Sequence, residues 1–203
     1  MPIHQLFPEP ISCSKLDRAL TQGELRTINK YKKKTHKNAG NTTSNEKNVL
    51  ENKTLKNLKK DLNKKVLDYF DKVVCTNNPI TPYITQSWIN YTESDQFHHR
   101  HSHPNSLVSG VFYISADKKV DSIIFYKSPI DDRINLAVTK YNTFNSTSWN
   151  FLVETGDVFL FRSSLAHGVD KKKGKNIRIS LSFNVFVKGT LGAKNRLTEL
   201  ILK

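Results

Sequence analysis

The spacing of hydrophobic positions changes once along this chain, near Pro82. Before it, two stretches repeat at helical period. Leu16, Leu20, Leu25, Ile28 and Tyr31 mark the first, with Ser14 placed to cap it. Leu55, Leu58, Leu62, Val66, Leu67 and Phe70 mark the second and fall on one stripe. Between them, residues 37–46 hold Asn38, Gly40, Asn41, Thr42, Thr43, Ser44 and Asn45 and read as a loop. A helix with one apolar stripe needs a surface to cover, so both helices are expected to pack on another layer.

After Pro82 the period shortens to two. Runs rich in Val, Ile, Phe, Tyr and Ser occupy residues 84–91, 106–115, 122–126, 135–138, 157–162 and 177–187. Turn signals at Ser128-Pro129, Thr155-Gly156 and Lys173-Gly174 separate them. This series predicts an all-β sandwich or barrel preceded by helices. The last run alternates cleanly. Ile177, Ile179, Leu181, Phe183 and Val185 face one way, and Arg178, Ser180, Ser182 and Asn184 face the other. A polar face on a central strand looks onto solvent or into a ligand cavity.

Composition narrows the class. The 203 residues suit one domain, and a hydrophobic fraction of 37% excludes wholesale disorder. No apolar run approaches the ~18 residues of a membrane span. Residues 1–10 lack the basic start and apolar stretch of a secretory signal. Two cysteines, Cys13 and Cys75, are too few for a disulfide scaffold or a zinc ribbon. A reduced, cytoplasmic setting is expected, with no membrane partner. The net charge of +14 is drawn mostly from the lysine-rich first third. It favours nucleic acid or acidic protein partners, and it equally serves plain solvation of a surface.

Candidate chemistry concentrates in Phe97-His98-His99-Arg100-His101-Ser102-His103, which carries four of the seven histidines. On an extended chain His99, His101 and His103 share a face, so an H-x-H pair can present two imidazoles to one metal ion. His167 follows the buried-strand signal Gly156-Asp157-Val158-Phe159-Leu160-Phe161 and can supply a third ligand. Arg178 shares its strand face with Ser180, Ser182 and Asn184, which suits an anion pocket. A guanidinium grips a carboxylate bidentately and a serine hydroxyl adds a donor. Trp88 and Asn90 lie on the strand before the metal motif and can line the pocket, core packing being the first expectation for Trp88; His4 and His98 are expected at the surface.

These motifs together resemble the Fe(II)- and 2-oxoglutarate-dependent dioxygenases. The likeness is to their prolyl-4-hydroxylase-like branch, and within it to the oxygenases common in marine bacteria and their phages. His101-Ser102-His103-Pro104-Asn105-Ser106-x-x-Ser109-Gly110-Val111-x-Tyr113 is similar to the first metal motif and the strand after it. Gly156-Asp157-x-x-x-Phe161-x-Ser163-x-x-x-His167 is similar to the distal-histidine segment, and Arg178-Ile179-Ser180-x-Ser182-x-Asn184 to the oxoglutarate-binding strand. Leu6-Phe7-Pro8 and Gly40-Asn41-x-x-Ser44 carry a weaker likeness.

The resemblance implies a mainly β fold with flanking helices. Its core is a double-stranded β-helix (jelly roll) over residues 79–190, with a helical, basic part over 1–78 packed on one sheet and a tail over 191–203. It implies metal ligation by His101, His103 and His167, and 2-oxoglutarate binding by Arg178 helped by Ser180 and Tyr113. The cofactors are then Fe(II), 2-oxoglutarate and O₂. The activity is hydroxylation of a peptidyl residue such as proline, coupled to decarboxylation of 2-oxoglutarate to succinate and CO₂. His103 stands where the wider superfamily has aspartate, which removes one negative charge from the metal site. His99 with His101 is the alternative pair, in a register shifted by two.

Two other readings share these residues. A cupin-like metal protein would use the same H-x-H and distal histidine without oxoglutarate, but it leaves Arg178 and Ser180 unexplained. A basic binding module on an inactive oxygenase fold would use the lysines of residues 30–65 for nucleic acid or an acidic protein.

Overall fold

The computed structural model describes residues 1–127 and 137–203. Chain order is β1 (Ile11–Lys15), α1 (Gln22–Tyr31), β2 (Thr35–Lys37), β3 (Thr42–Ser44), α2 (Lys56–Tyr69) and β4 (Ile80–Thr92), then β5 (His98–His101), β6 (Val108–Ser115), β7 (Ser122–Tyr126) and β8 (Ser148–Leu152). β9 (Asp157–Arg162), β10 (His167–Val169), β11 (Arg178–Leu191) and β12 (Leu200–Leu202) complete it. The strands form two facing sheets. The major sheet runs β1-β9-β6-β11-β4-β3-β2, with β12 paired to β11, and the minor sheet runs β5-β10-β7-β8. All named pairings are antiparallel. This is the all-β architecture that the strand pattern predicts, in the double-stranded β-helix form that the family resemblance implies.

β11 organises both layers. Leu181, Phe183 and Val185 point to the helix side and are fully buried. They join Leu58, Leu62 and Val66 of α2, Ile28 of α1 and Ile84 and Ile89 of β4 in one core. The helices therefore cover the outer face of the major sheet. Burying a leucine or phenylalanine there stabilises the fold by about 1.5–3 kcal/mol per side chain. The opposite face of β11 looks between the sheets, where Val111, Tyr113, Ile123, Phe125, Phe159 and Phe161 form a second, smaller core. The polar face of the last strand thus lines an internal space and not the solvent.

Close packing of β6 on β11 depends on Gly110. It is paired with Phe183, whose ring lies across its Cα, and a Cβ built there would stand 2.1 Å from Phe183 Cζ. At the other end of the fold, a capping box starts α1. Thr21 Oγ1 accepts from the Glu24 amide, and the Glu24 carboxylate accepts from the Thr21 amide. Arg18 donates to both oxygens of Glu24 at 2.7 and 2.8 Å and to Asp61 of α2 at 2.7 Å, so one guanidinium ties the two helices together.

Several expectations are corrected. Ser14 lies inside β1 and caps nothing; the cap is Thr21, and the apolar Leu16 belongs to the turn between strand and helix. The segment 37–46 is not simply a loop. Thr42–Ser44 pairs with β4, where Ser44 Oγ accepts from the Ile89 amide at 3.0 Å and Thr43 Oγ1 donates to Asn90 Oδ1 at 2.9 Å. Such a strand is held by polar contacts, so hydrophobic alternation does not reveal it. The strand run at 135–138 and the turn at Ser128-Pro129 fall largely outside the described residues, and Ala137 and Val138 are not in a strand. Residues 200–202 pair with β11 across Gly189–Leu191. No helix among the described residues is long and apolar enough to cross a membrane.

Candidate metal and anion site

The site lies between the sheets, on the polar face of β11. β5 delivers His101, the turn after it His103, and the start of β10 His167. β5 and β10 are neighbours, with His101 directly opposite His167. The three rings stand with centroids 4.4 to 5.1 Å apart. One ligand atom from each lies within 4.8 Å of the others, which is the geometry of a set that can hold a metal ion.

The outer nitrogens are all engaged by oxygen acceptors. His101 Nδ1 is 2.8 Å from the His99 carbonyl, His167 Nδ1 is 3.0 Å from the Leu165 carbonyl, and His103 Nδ1 is 2.7 Å from Asn184 Oδ1. An oxygen acceptor requires the proton on Nδ1, which leaves a lone pair on each Nε2. His103 Nε2 is buried and has no hydrogen-bond partner among the described residues. Burial keeps the rings neutral: it pushes His103 down to about 4 and His167 to about 3, and it lowers His101 as well. Three neutral imidazoles with fixed tautomers and converging lone pairs form a donor set suited to a divalent transition metal.

Beside them sits a cation that has no ion-pair partner among the described residues. Arg178 is 3% exposed. Its Nη1 donates to the Ser122 carbonyl at 3.2 Å and its Nη2 to Thr92 Oγ1 at 3.1 Å, and Nε has no partner. Among the described residues no carboxylate forms an ion pair with it; the nearby Asp121 is paired with Lys172 at 3.3 Å instead. Burial lowers the guanidinium's proton affinity while Tyr113 and Asp121 oppose the shift. Tyr113 is itself buried, which raises its phenol. Ser180, Ser182, Asn90, Tyr113 and Arg178 line the same pocket as the three histidines.

The structure therefore brings His101, His103, His167, Arg178, Ser180 and Tyr113 to one cavity. It sets His99 apart, exposed and outside the pocket lining, so the alternative His99–His101 pair is not the one assembled. Two sequence expectations fail. Trp88 is half-buried and stacks on His103, with centroids 5.6 Å apart, as a wall of the pocket and not a core residue. His98 is half-buried and faces the pocket, stacked on His101 at 4.5 Å. Strict alternation places His98 opposite to His101. A bulge in β5 reverses this: Val169 pairs with His98 and His167 with His101, so four residues of β5 stand opposite three of β10. Asn184 and Asn41, which lie within motifs of the resemblance without an assigned role, hold His103 and His98; the tertiary register brings them there.

A double-stranded β-helix with such a histidine cluster defines a class of metal-binding jelly rolls. The family model described as "Putative 2OG-Fe(II) oxygenase" matches residues 86–184, from within β4 to within β11, and that stretch includes all six residues above. That stretch, just under half of the chain, is similar to a 2OG-Fe(II) oxygenase domain. No curated protein sequence matches it. Among solved structures it is similar to HygX from Streptomyces hygroscopicus with nickel, 2-oxoglutarate and hygromycin B bound. The identity is 14%, covering 87% of this chain and 82% of that one, with a TM-score of 0.57. A prolyl hydroxylase from Trichoplax adhaerens, in complex with a hypoxia inducible factor oxygen degradation domain peptide fragment, is 13% identical. It covers 87% of this chain and 83% of that one, with a TM-score of 0.57. An oxidoreductase of the 2OG-Fe(II) oxygenase family from Burkholderia pseudomallei is 13% identical over 86% of this chain and 83% of that one, with a TM-score of 0.53. At these identities the likeness to solved structures is one of fold.

Proposed function

We propose that this protein is a dioxygenase that uses Fe(II), 2-oxoglutarate and O₂ to hydroxylate a peptidyl residue such as proline, with succinate and CO₂ as co-products. His101, His103 and His167 hold the metal through Nε2. Arg178 binds the remote carboxylate of 2-oxoglutarate, and Ser180 and Tyr113 add donors beside it. When bound, the iron supplies the oxygen activation that no side chain can perform. The protein's own residues do the rest. Three Nδ1 hydrogen bonds hold the ligating rings in one orientation. Arg178 orients the cosubstrate, and Phe161, Val111 and Ile123 exclude water from the pocket wall.

The observation that carries this reading is Arg178. Among the described residues its buried guanidinium meets only two acceptors, both neutral; that is costly, by several kcal/mol, and a carboxylate ligand relieves that cost. A cupin-like protein without oxoglutarate gives the residue no such partner. The peptide substrate draws support from the structural likeness to the prolyl hydroxylase bound to a peptide. The neighbour with hygromycin B shows that this fold also hosts a small molecule.

The test is an anaerobic titration of the metal-free protein with Fe(II) and then 2-oxoglutarate, read by the weak visible metal-to-ligand charge-transfer band. The band is expected in the parent and lost in both Arg178→Ala and His167→Ala. Metal binding without a band overturns the oxygenase reading. Incubation with proline-containing peptides and O₂, followed by mass spectrometry, tests the substrate. No peptide gaining one oxygen atom while succinate accumulates with a small molecule would reassign it.

A further inference from the structure

We infer that His98 is a fourth functional histidine. It does not ligate the metal. Instead, its Nε2–H is a hydrogen-bond donor to 2-oxoglutarate, between the metal ligands and Arg178. This rests on the proposed function and extends it to a residue outside the motifs that carry the family resemblance.

The backbone is built to deliver this side chain. The bulge in β5 rotates His98 onto the face of His101, and bulges next to active sites commonly re-aim a side chain in this way. Gly168, opposite the bulge on β10, makes the close approach possible. A Cβ there would stand 3.0 Å from the His98 carbonyl and 3.3 Å from the Arg100 amide. Gly168 therefore accommodates the irregular register that turns His98 inward.

A second observation fixes its chemistry. Asn41, 3% exposed, places Nδ2 3.3 Å from His98 Nδ1. With the amide nitrogen facing the ring and Oδ1 left without a partner among the described residues, the amide donates, so Nδ1 accepts and the ring proton resides on Nε2. The three clustered histidines have the opposite arrangement, with Nδ1 protonated and Nε2 bare. His98 is thus a donor where they are ligands, and it is absent from the set whose nitrogens converge. Its ring stacks on His101 at an interplanar angle of 17°. It lines the same pocket as His103 and Arg178. A dianion spanning from the histidines to Arg178 leaves carboxylate oxygens near the metal that need donors, and an unpaired buried carboxylate oxygen is expensive.

The experiment uses the full-length protein and reads two affinities separately. Co(II) or Fe(II) binding is measured anaerobically first, and 2-oxoglutarate is then titrated into the metal-loaded protein. For His98→Phe, metal affinity is expected to stay within about twofold, while 2-oxoglutarate affinity falls about tenfold, the scale of one charge-assisted hydrogen bond. His98→Gln, whose amide can still donate, should recover most of the loss, and it guards against a packing defect in the phenylalanine variant. Unchanged 2-oxoglutarate affinity in both variants overturns the inference, as does a parallel loss of metal. A parent that binds metal but not 2-oxoglutarate overturns the oxygenase reading itself, and this inference with it.

Discussion

Acidifying the metal-free protein from pH 7 to pH 5 should destabilise it through its buried histidines, well before any carboxylate titrates. Burial first, then repulsion from neighbouring imidazoles, pushes His98 and His167 down to about 3 and His103 to about 4, from an unfolded value of 6.5. Above pH 6.5 both folded and unfolded chains hold these rings neutral, and stability is level. Below it the unfolded chain takes up protons that the folded chain refuses, so stability falls towards the folded values. Each ring costs about 1.4 kcal/mol per pH unit, or about 2 kcal/mol at pH 5. Three rings give about 6 kcal/mol, a large share of the ~5–15 kcal/mol of a typical fold. At about 2–4 °C per kcal/mol, the melting temperature should drop by more than about 10 °C. Depressed carboxylates such as Glu24 lose their contribution only below their unfolded value of 4.5, in a separate window. The assay is circular dichroism melting after chelation, between pH 7.5 and 5. His167→Gln should flatten the slope by about a third. A melting temperature level across that range would refute the claim that these rings are held neutral by burial.

Three further outcomes follow from single contacts. Gly110→Ala drives a methyl into the Phe183 ring and should cost about 1–3 kcal/mol in urea unfolding; an unchanged midpoint would show that β6 and β11 can separate freely. Asn184→Ala removes the acceptor that fixes the His103 tautomer and should weaken metal binding about 10–100-fold in a competition titration while the melting temperature holds. Lys172→Met leaves Asp121 as a buried charge without its cation, their side chains being 1% and 0% exposed. That should cost about 3–5 kcal/mol by chemical denaturation, and a loss below about 1 kcal/mol would mean that Asn176 and the Asp117 amide suffice for it.

Legibility in the sequence followed the physical signal. β7 and β9 stand at the predicted residues because short apolar runs with turn signals at their ends leave little freedom. α2 is close to its predicted span for the same reason, since its stripe repeats over four turns. β3, β5 and β10 carry no such signal. They are short and polar, and they exist because neighbouring strands supply their hydrogen bonds. The six motif residues were visible through resemblance and face alternation, and the cavity that gathers them agrees with both.

The sequence by itself determined the two faces of β11, one for the core and one for polar chemistry, because side-chain alternation is a local property of an extended chain. It likewise determined the H-x-H pair and the distal histidine, whose residue types are written in the chain. Only the tertiary structure decided which nitrogen of each imidazole is bare, because that depends on acceptors up to 81 residues away. It alone set Trp88 against His103 and left Arg178 without a counter-ion among the described residues. It also turned His98 inward, because a bulge is a mismatch between two strands and neither strand's sequence contains it.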